Sequence, residues 1–178
     1  MDGNLQIKLV NAAKSGDLEC FGKLCENYYS TLVAIAYSVL GDHHLAEDAT
    51  QAAFAKAITA LPKLKDGDKF APWLARICRN IATDMIKKKA RQYPTDDLSQ
   101  VQAFSEQDEI TPLVRRAIAK LASDEKEIIC LRYYDQMSYQ QMGEILGLSS
   151  PAINGRLKRA KQKMAEYLKR NDFSEFEL

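Results

Sequence analysis

The sequence predicts an all-α protein of two small helical domains joined by a flexible acidic linker, with a helix-turn-helix in the C-terminal domain. Three observations support this fold class. Apolar residues recur at helical spacing through most of the 178 residues, and no segment alternates with period two over β-branched residues. All five prolines fall where a helix would begin or end.

The first module, residues 1–91, is expected to hold four helices, and residues 112–178 are expected to form a second module of four. In the second module, Asp124 followed by Glu127 predicts a capped helix start. Residues 92–111 are polar and have little apolar surface to bury, which predicts a flexible linker. The predicted helices of the first module span about residues 5–12, 17–40, 43–61 and 70–91, with a polar loop at 63–69.

A stretch near the C-terminus reads as two short helices joined by a tight turn. Ser138 with Gln141 three residues later forms a capping box, which marks a helix start. Gly147 ends that helix, because glycine enters the left-handed region at little cost. Ser149 or Ser150 then caps a second helix, which has a proline in its first turn. This pattern predicts a helix-turn-helix, whose second helix lies in the major groove of DNA.

Charge is strongly segregated along the chain, although the net charge is only +1. Residues 56–91 carry ten Lys or Arg against three Asp, and residues 151–170 carry seven Lys or Arg against one Glu. Between these blocks, residues 92–111 carry five acids and no base. Two basic blocks separated by an acidic connector indicate two contacts with nucleic acid, made by two modules.

The last helix combines an apolar stripe with a cationic face. A basic helix that is merely solvated is the alternative, but the turn, the caps and the one-sided charge together favour DNA binding. The predicted buried stripe is Ile153, Leu157, Ala160 and Met164. The residues predicted to contact duplex DNA are Ser150, Pro151, Ala152, Asn154, Gly155, Arg156, Lys158 and Arg159.

The predicted third helix has a face that is acidic, flat and rich in alanine. Phe54, Ala57 and Ile58 group on its core side, while Glu47, Asp48, Gln51, Ala55 and Thr59 fall on the other arc. Such a surface can dock the helix of another protein closely. The pattern fits an ordinary solvated face equally well.

The predicted fourth helix places the only tryptophan, Trp73, among seven cations between Lys69 and Arg91. Aromatic and cationic groups together suit single-stranded DNA, because bases stack and phosphates need neutralising. A single tryptophan on an apolar helix is more often part of the core, so the charge is the stronger signal.

Several function classes find no support in the sequence. No nucleophile–base pair, metal-ligand cluster or phosphate-binding glycine loop is present, so we expect neither an enzyme nor a cofactor or metal site. No apolar run is long enough to span a membrane, and the first residues lack the pattern of a signal peptide. The four cysteines form no CxxC pair. A cytoplasmic protein is therefore expected.

With these motifs placed, the chain resembles the sigma factors of bacterial RNA polymerase, in particular the compact extracytoplasmic-function (ECF) group of the sigma-70 family. AEDATQAAF, from Ala46, is similar to that family's polymerase-clamp-binding helix. FAPWLARICRNIATDMIKKKAR, from Phe70, is similar to its promoter-melting helix, and residues 121–164 are similar to its promoter-reading domain.

The resemblance implies a transcription initiation factor that recognises minus-ten and minus-thirty-five promoter elements. Its implied partners are core RNA polymerase, promoter DNA and an anti-sigma factor, and the free protein would be a monomer without membrane insertion. The residues implied in polymerase binding are Glu47, Asp48, Gln51, Ala52 and Ala55. Those implied in promoter melting are Lys63, Lys65, Asp68, Trp73, Arg76, Asn80, Lys87, Lys88 and Arg91, with the 63–68 loop and Asn80 holding an unstacked base.

Three segments depart from the family pattern. Ala52 stands where the family usually has an acid, and Gln141-Met142-Gly143 replaces the usual Glu-Ile-Ala. The run 151–155 replaces one richer in hydroxyl and basic groups. The alternative function is a stand-alone helix-turn-helix regulator, which leaves the clamp-like face and the Trp73 helix without a role.

Overall fold

The computed structural model describes residues 3–92 and 112–171. Within these ranges the chain is helical and contains no strand. The prediction of a flexible linker at 92–111 lies outside the described residues, apart from Gln92, which ends a helix. The helices are α1 (Gly3–Lys14), α2 (Leu18–Leu40), α3 (His43–Ala60), α4 (Phe70–Gln92), α5 (Pro112–Ala119), α6 (Ser123–Ile129), α7 (Tyr139–Leu146) and α8 (Ser150–Arg170).

Side-chain caps and left-handed residues set the helix ends in the first module. Asp17 accepts a hydrogen bond from the Cys20 N–H at 2.9 Å and so begins α2. Gly41, at φ 67°, ends α2 in the left-handed region that glycine adopts readily. Asp42 then caps α3 by accepting from the Leu45 N–H at 3.0 Å. The predicted break at Gly41 is confirmed.

The core of the first module forms where α2 packs against α1, α3 and α4. The α3 residues in this core are chiefly alanines, with Ala46, Ala49, Ala53 and Ala57 fully buried. Phe54 and Ile58 of α3 are only partly buried. Small side chains at its centre let α3 lie close to α2 and α4, so the predicted core side was rotated from the observed one.

The second module packs α5, α6 and α7 against α8 around buried Ile128, Met142 and Ile153. A turn of π-helix, Cys130–Tyr134, follows α6 directly. The predicted cap at Asp124 is wrong. Helix α6 begins one residue earlier, at Ser123, and the Ala122 N–H donates to Glu125 at 3.1 Å.

The two modules contact each other in this structure. Helices α2 and α4 of the first module pack against α6, the π-turn and α7 of the second. Thr31 donates to Asp135 at 2.9 Å, and the rings of Tyr37 and Tyr134 stack with centroids 5.4 Å apart. The sequence pattern indicated two modules but not this contact between them.

Candidate nucleic-acid and protein interfaces

The helix-turn-helix of α7 and α8 forms with the predicted caps. Ser138 accepts from the Gln141 N–H at 3.3 Å, and the Gln141 side chain accepts from the Ser138 N–H at 2.9 Å. Gly147 ends α7 at φ 66°. Of the two candidate caps for α8, the structure selects Ser149, which accepts from the Ala152 N–H at 3.4 Å.

Helix α8 buries its apolar stripe and presents its polar face outward. Ile153, Leu157 and Ala160 are buried as predicted, and Met164 is partly buried against the core. Among the predicted DNA contacts, Ser150, Pro151, Asn154, Lys158 and Arg159 are exposed, and Ala152, Gly155 and Arg156 are half-buried. The N-terminal half of this helix is therefore accessible to a major groove.

Acidic residues of α6 hold two cations of α8. Asp124 lies 3.3 Å from the Arg156 guanidinium, and Glu125 accepts from Lys163 at 2.6 Å. Glu125 is buried, and the Lys163 hydrogen bond lowers the pKa of its carboxyl below the ordinary value. Sequence reasoning missed these partners, which face α8 only once α6 is folded.

An aromatic and cationic ridge borders the same helix. Arg132 lies over the ring of Tyr139 at 5.8 Å, and Lys161 lies over the ring of Tyr133 at 6.0 Å. Both tyrosines are exposed, and the Tyr139 hydroxyl approaches Asn154 at 3.5 Å. The ridge thus extends the polar surface of α8 on one side, and no sequence pattern had singled it out.

The basic surface of the first module lies on α4 and on the loop before it. Two short 3-10 turns, Leu61–Lys63 and Gly67–Lys69, shape this loop. The predicted melting residues exposed here are Lys63, Lys65, Asp68, Arg76, Asn80, Lys87, Lys88 and Arg91. They form a cationic surface that differs from the α8 surface in having a loop at one end.

Trp73 does not share the exposure of these residues. It is half-buried, and its ring centroid lies 5.8 Å from that of Phe70, which is 1% exposed. The ring therefore packs against the core of the first module, as a single tryptophan on an apolar helix usually does.

The acidic face of α3 is exposed at most of its predicted positions. Asp48, Gln51, Ala52 and Ala55 are all exposed and lie together on one side of the helix. Two alanines between two polar side chains leave a flat surface, which a partner helix can approach closely.

Glu47 differs from its neighbours on this face because it is held within the module. The Tyr29 hydroxyl donates to Glu47 at 3.0 Å, and the His43 Nδ1 lies 3.6 Å from the same carboxylate. Glu47 is consequently half-buried at the edge of the acidic face. Tyr29, itself 40% exposed, was not identified from the sequence.

The buried thiols belong to the packing of the two modules. Burial raises the pKa of Cys78 and of Cys130 to about 12. Within residues 3–92 and 112–171, no group of His, Cys, Asp or Glu could hold a metal ion. Among the same residues, no helix is both long and apolar enough to cross a bilayer.

Two helical modules, one with a basic helix and loop and the other with a helix-turn-helix, define a transcription factor that contacts promoter DNA twice. Comparison with known families agrees with this class. The family model described as sigma-70 region 2 matches residues 24–92, and the model described as sigma-70, region 4 matches residues 112–164.

Similar proteins cover nearly the whole chain. The ECF RNA polymerase sigma factor SigW of Bacillus subtilis is 28% identical over 91% of this chain and 96% of its own length. The ECF RNA polymerase sigma-E factor of Escherichia coli K12 is 26% identical over 86% of this chain and 89% of its own.

Solved structures show the same fold. CnrH, in complex with the cytosolic domain of CnrY, matches with a TM-score of 0.64 at 27% identity, over 94% of this chain and 99% of that one. The sigma factor RpoE of Bartonella quintana, in complex with the anti-sigma factor NepR, matches with a TM-score of 0.58 at 26% identity, over 84% and 96%.

The chain belongs to the sigma-70 family and is a sigma factor of the extracytoplasmic-function group. Its function is to direct RNA polymerase to promoters at the start of transcription. Since matched regions 2 and 4 occur in order on one chain, the alternative of a stand-alone helix-turn-helix regulator is set aside.

Proposed function

We propose that residues 1–91 bind core polymerase and open the minus-ten element, and that residues 112–178 read the minus-thirty-five element as duplex. The observation that carries this proposal is the division of the exposed surface by charge. Helix α3 presents an acidic, alanine-lined face, whereas the loop with α4 and the N-terminal half of α8 present two separate polar and cationic faces.

The α3 face would receive the polymerase clamp. Asp48 and Gln51 supply charge and hydrogen-bonding groups, while Ala52 and Ala55 allow close approach. Glu47 stays against Tyr29 and so keeps the edge of this face in a fixed position. An alanine at position 52 leaves Asp48 as the only exposed carboxylate among the five proposed residues.

The loop and α4 would hold the separated strand of the minus-ten element. Lys63, Lys65 and the exposed cations of α4 neutralise phosphates along the strand. Asn80 and Asp68 offer amide and carboxylate groups to the edges of an unstacked base. Trp73 contributes mainly by supporting α4 through Phe70.

Helix α8 would enter the major groove of the minus-thirty-five element. Ser150, Pro151 and Ala152 lie at its N-terminus, where recognition helices contact base edges. Asn154 can read a base by its amide, and Lys158 and Arg159 can bind either guanine or phosphate. Gly155 leaves space for the sugar–phosphate backbone to come close.

The partners follow from the same assignment. Because CnrH and RpoE were each solved with a regulatory partner, CnrY and NepR, we propose that an anti-sigma factor also controls this protein. It would act in the cytoplasm beside the polymerase, as a monomer when free. It would work by binding alone, with no reaction or cofactor of its own.

Transcription reconstituted with core polymerase tests the assignment. Start sites mapped in vitro should reveal two promoter elements that depend on this protein. Asp48→Lys and Gln51→Ala should each weaken core binding about 5- to 30-fold, the effect of losing 1–2 kcal/mol at an interface. Glu19→Lys, an exposed acid near the start of α2, is the control and should bind normally. Equal core affinity for all three variants would contradict the α3 assignment.

A further inference from the structure

Helix α1 packs against the loop that precedes α4. It contacts α2 and both 3-10 turns of that loop. Val10 of α1 is fully buried, and α1 lies before residue 24, where the match to sigma-70 region 2 begins. The contacts of this helix are therefore a property of this chain to be explained from its own residues.

The Gln6 amide joins the loop to the body of the module. Its nitrogen donates to the Gly67 carbonyl at 3.3 Å, and its oxygen accepts from the Tyr28 hydroxyl. Tyr28 is buried and packs on Phe70, with ring centroids 5.6 Å apart. Since both ends of the amide are engaged, Gln6 fixes the second turn of the loop relative to α2 and α4.

Lys14 makes a second connection from α1 to the loop. Its ammonium group donates to the Leu64 carbonyl at 2.6 Å, a short, charge-assisted hydrogen bond. Lys14 is half-buried, whereas Lys8 on the same helix is exposed. Gly67 also rests on α1, because a Cβ there would lie 3.6 Å from Ile7 and 3.7 Å from Val10.

These connections alternate with the side chains that face outward. Leu64 and Gly67 are held by α1 through their carbonyls, while Lys63, Lys65 and Asp68 between and beside them are exposed. Fixing the two carbonyls fixes the direction in which the exposed side chains leave the loop. A preformed loop also loses less conformational entropy when it captures a strand.

We propose that Gln6 and Lys14 are positioning residues for base selection at the minus-ten element, acting through the loop rather than by touching DNA. This inference rests on the proposed function of the loop. It assigns to α1 a part in promoter discrimination, in addition to its packing against α2.

The test measures base discrimination with the full-length protein and core polymerase. Gln6→Glu removes the donor to Gly67 but keeps an acceptor for Tyr28, and Lys14→Met removes the donor to Leu64. Opening of duplex promoters, followed by permanganate reactivity of minus-ten thymines, is compared between the preferred sequence and single-base variants of it. Each substitution should reduce the preference about tenfold, as the loss of one charge-assisted hydrogen bond would.

Matched variants separate positioning from charge and from folding. Lys8→Met removes the same charge from an exposed site on α1 and should keep the preference, and Lys14→Arg should restore it. Core affinity and minus-thirty-five duplex binding should stay within about twofold in every variant, as for mutations distant from those surfaces. A uniform decline on all promoters with no change in preference would overturn the proposal, because that is the result of a purely structural role.

The outcome is also distinguishable from failure of the loop assignment itself. Lys63→Ala, Asp68→Ala and Asn80→Ala alter the proposed contacts directly. If these three change the minus-ten preference and the α1 variants do not, the inference about α1 is wrong and the loop assignment stands. If none of the three changes it, the loop assignment fails.

Discussion

The Arg79 guanidinium of α4 donates to both carboxylate oxygens of Glu127 on α6, with a closest N···O distance of 2.6 Å. This bidentate pair joins the helix proposed to melt DNA to the module proposed to read duplex DNA. The Glu127 side chain is only 10% exposed, so water screens the pair weakly. Together with the Thr31–Asp135 hydrogen bond, it holds the two modules in contact.

That contact has a consequence for promoter binding. The two promoter elements lie about 25 base pairs apart by name, which is roughly 85 Å along B-form DNA at 3.4 Å per base pair. Helix α4 contacts α7, and α7 contacts α8. Packed helices lie about 8–10 Å apart, so the two reading surfaces are far closer than the elements. The modules must therefore separate before both elements can be bound.

Glu127→Gln should shift the free protein toward separated modules. Arg79 would lose its charged partner, and leaving a charged group poorly paired costs about 1–3 kcal/mol. Small-angle scattering should give a larger radius of gyration than for wild type, with unchanged helix content. Lys23→Gln breaks an exposed ion pair with Glu19 and serves as the control, which should scatter like wild type. An unchanged radius for Glu127→Gln would mean that apolar packing alone holds the modules.

The cations of α8 should differ in their effect on promoter binding. Lys158→Ala and Arg159→Ala remove exposed charges, so each should weaken duplex binding and reduce the salt slope by about 1 if it contacts phosphate. Arg156→Ala should cost less, because Asp124 already holds that side chain. Titration of a minus-thirty-five duplex at several salt concentrations measures all three. A larger loss for Arg156→Ala than for the other two would show that Asp124 releases it to DNA.

Gly143→Ala should destabilise the second module. A Cβ at this position would lie 2.7 Å from the Leu148 carbonyl oxygen, and that atom belongs to the turn backbone and cannot rotate away. Overpacking of this kind costs about 1–3 kcal/mol. Urea unfolding followed by circular dichroism should show a lower midpoint. A midpoint equal to that of wild type would mean that the turn relaxes without cost.

Gly155→Ala should have opposite effects on stability and on promoter binding. Within the protein, a Cβ here would meet only the Arg159 side chain at 3.7 Å, which is ordinary contact. Alanine is favoured over glycine in a helix interior by up to about 1 kcal/mol, so the module should become more stable. If DNA backbone approaches Gly155, duplex affinity should nevertheless fall. Unchanged or tighter binding would remove the case for close approach at this residue.

Periodicity and capping predicted the local structure well, because both depend on residues close in sequence. The capping box at Ser138 and the ends of α2 and α7 at Gly41 and Gly147 were confirmed. The cap at Asp124 failed because two overlapping acid pairs were available. The chain used Glu125 for the cap and left Asp124 to Arg156.

Contacts between distant segments were beyond the sequence pattern. Gln6 bonds to Gly67 and Arg79 to Glu127, pairs separated by 61 and 48 positions. Each of these residues has an ordinary surface composition, and nothing in its local sequence marks its partner. The exposed polar and cationic faces were predictable from spacing alone, whereas the supports behind them depend on tertiary packing.

The Glu125–Lys163 pair should make the second module sensitive to acid. The hydrogen bond from Lys163 lowers the pKa of Glu125 when the module is folded, so this pair stabilises it above the unfolded pKa of about 4.3. That stabilisation is lost as the pH falls through the folded pKa. Glu125→Gln should therefore lower the urea midpoint at pH 7, and the difference from wild type should shrink toward pH 3. Gln162, exposed on α8 and paired with Glu166, offers Glu166→Gln as the control, with little effect at either pH. A difference for Glu125→Gln that stayed constant with pH would mean that shape, and not charge, is what this side chain contributes.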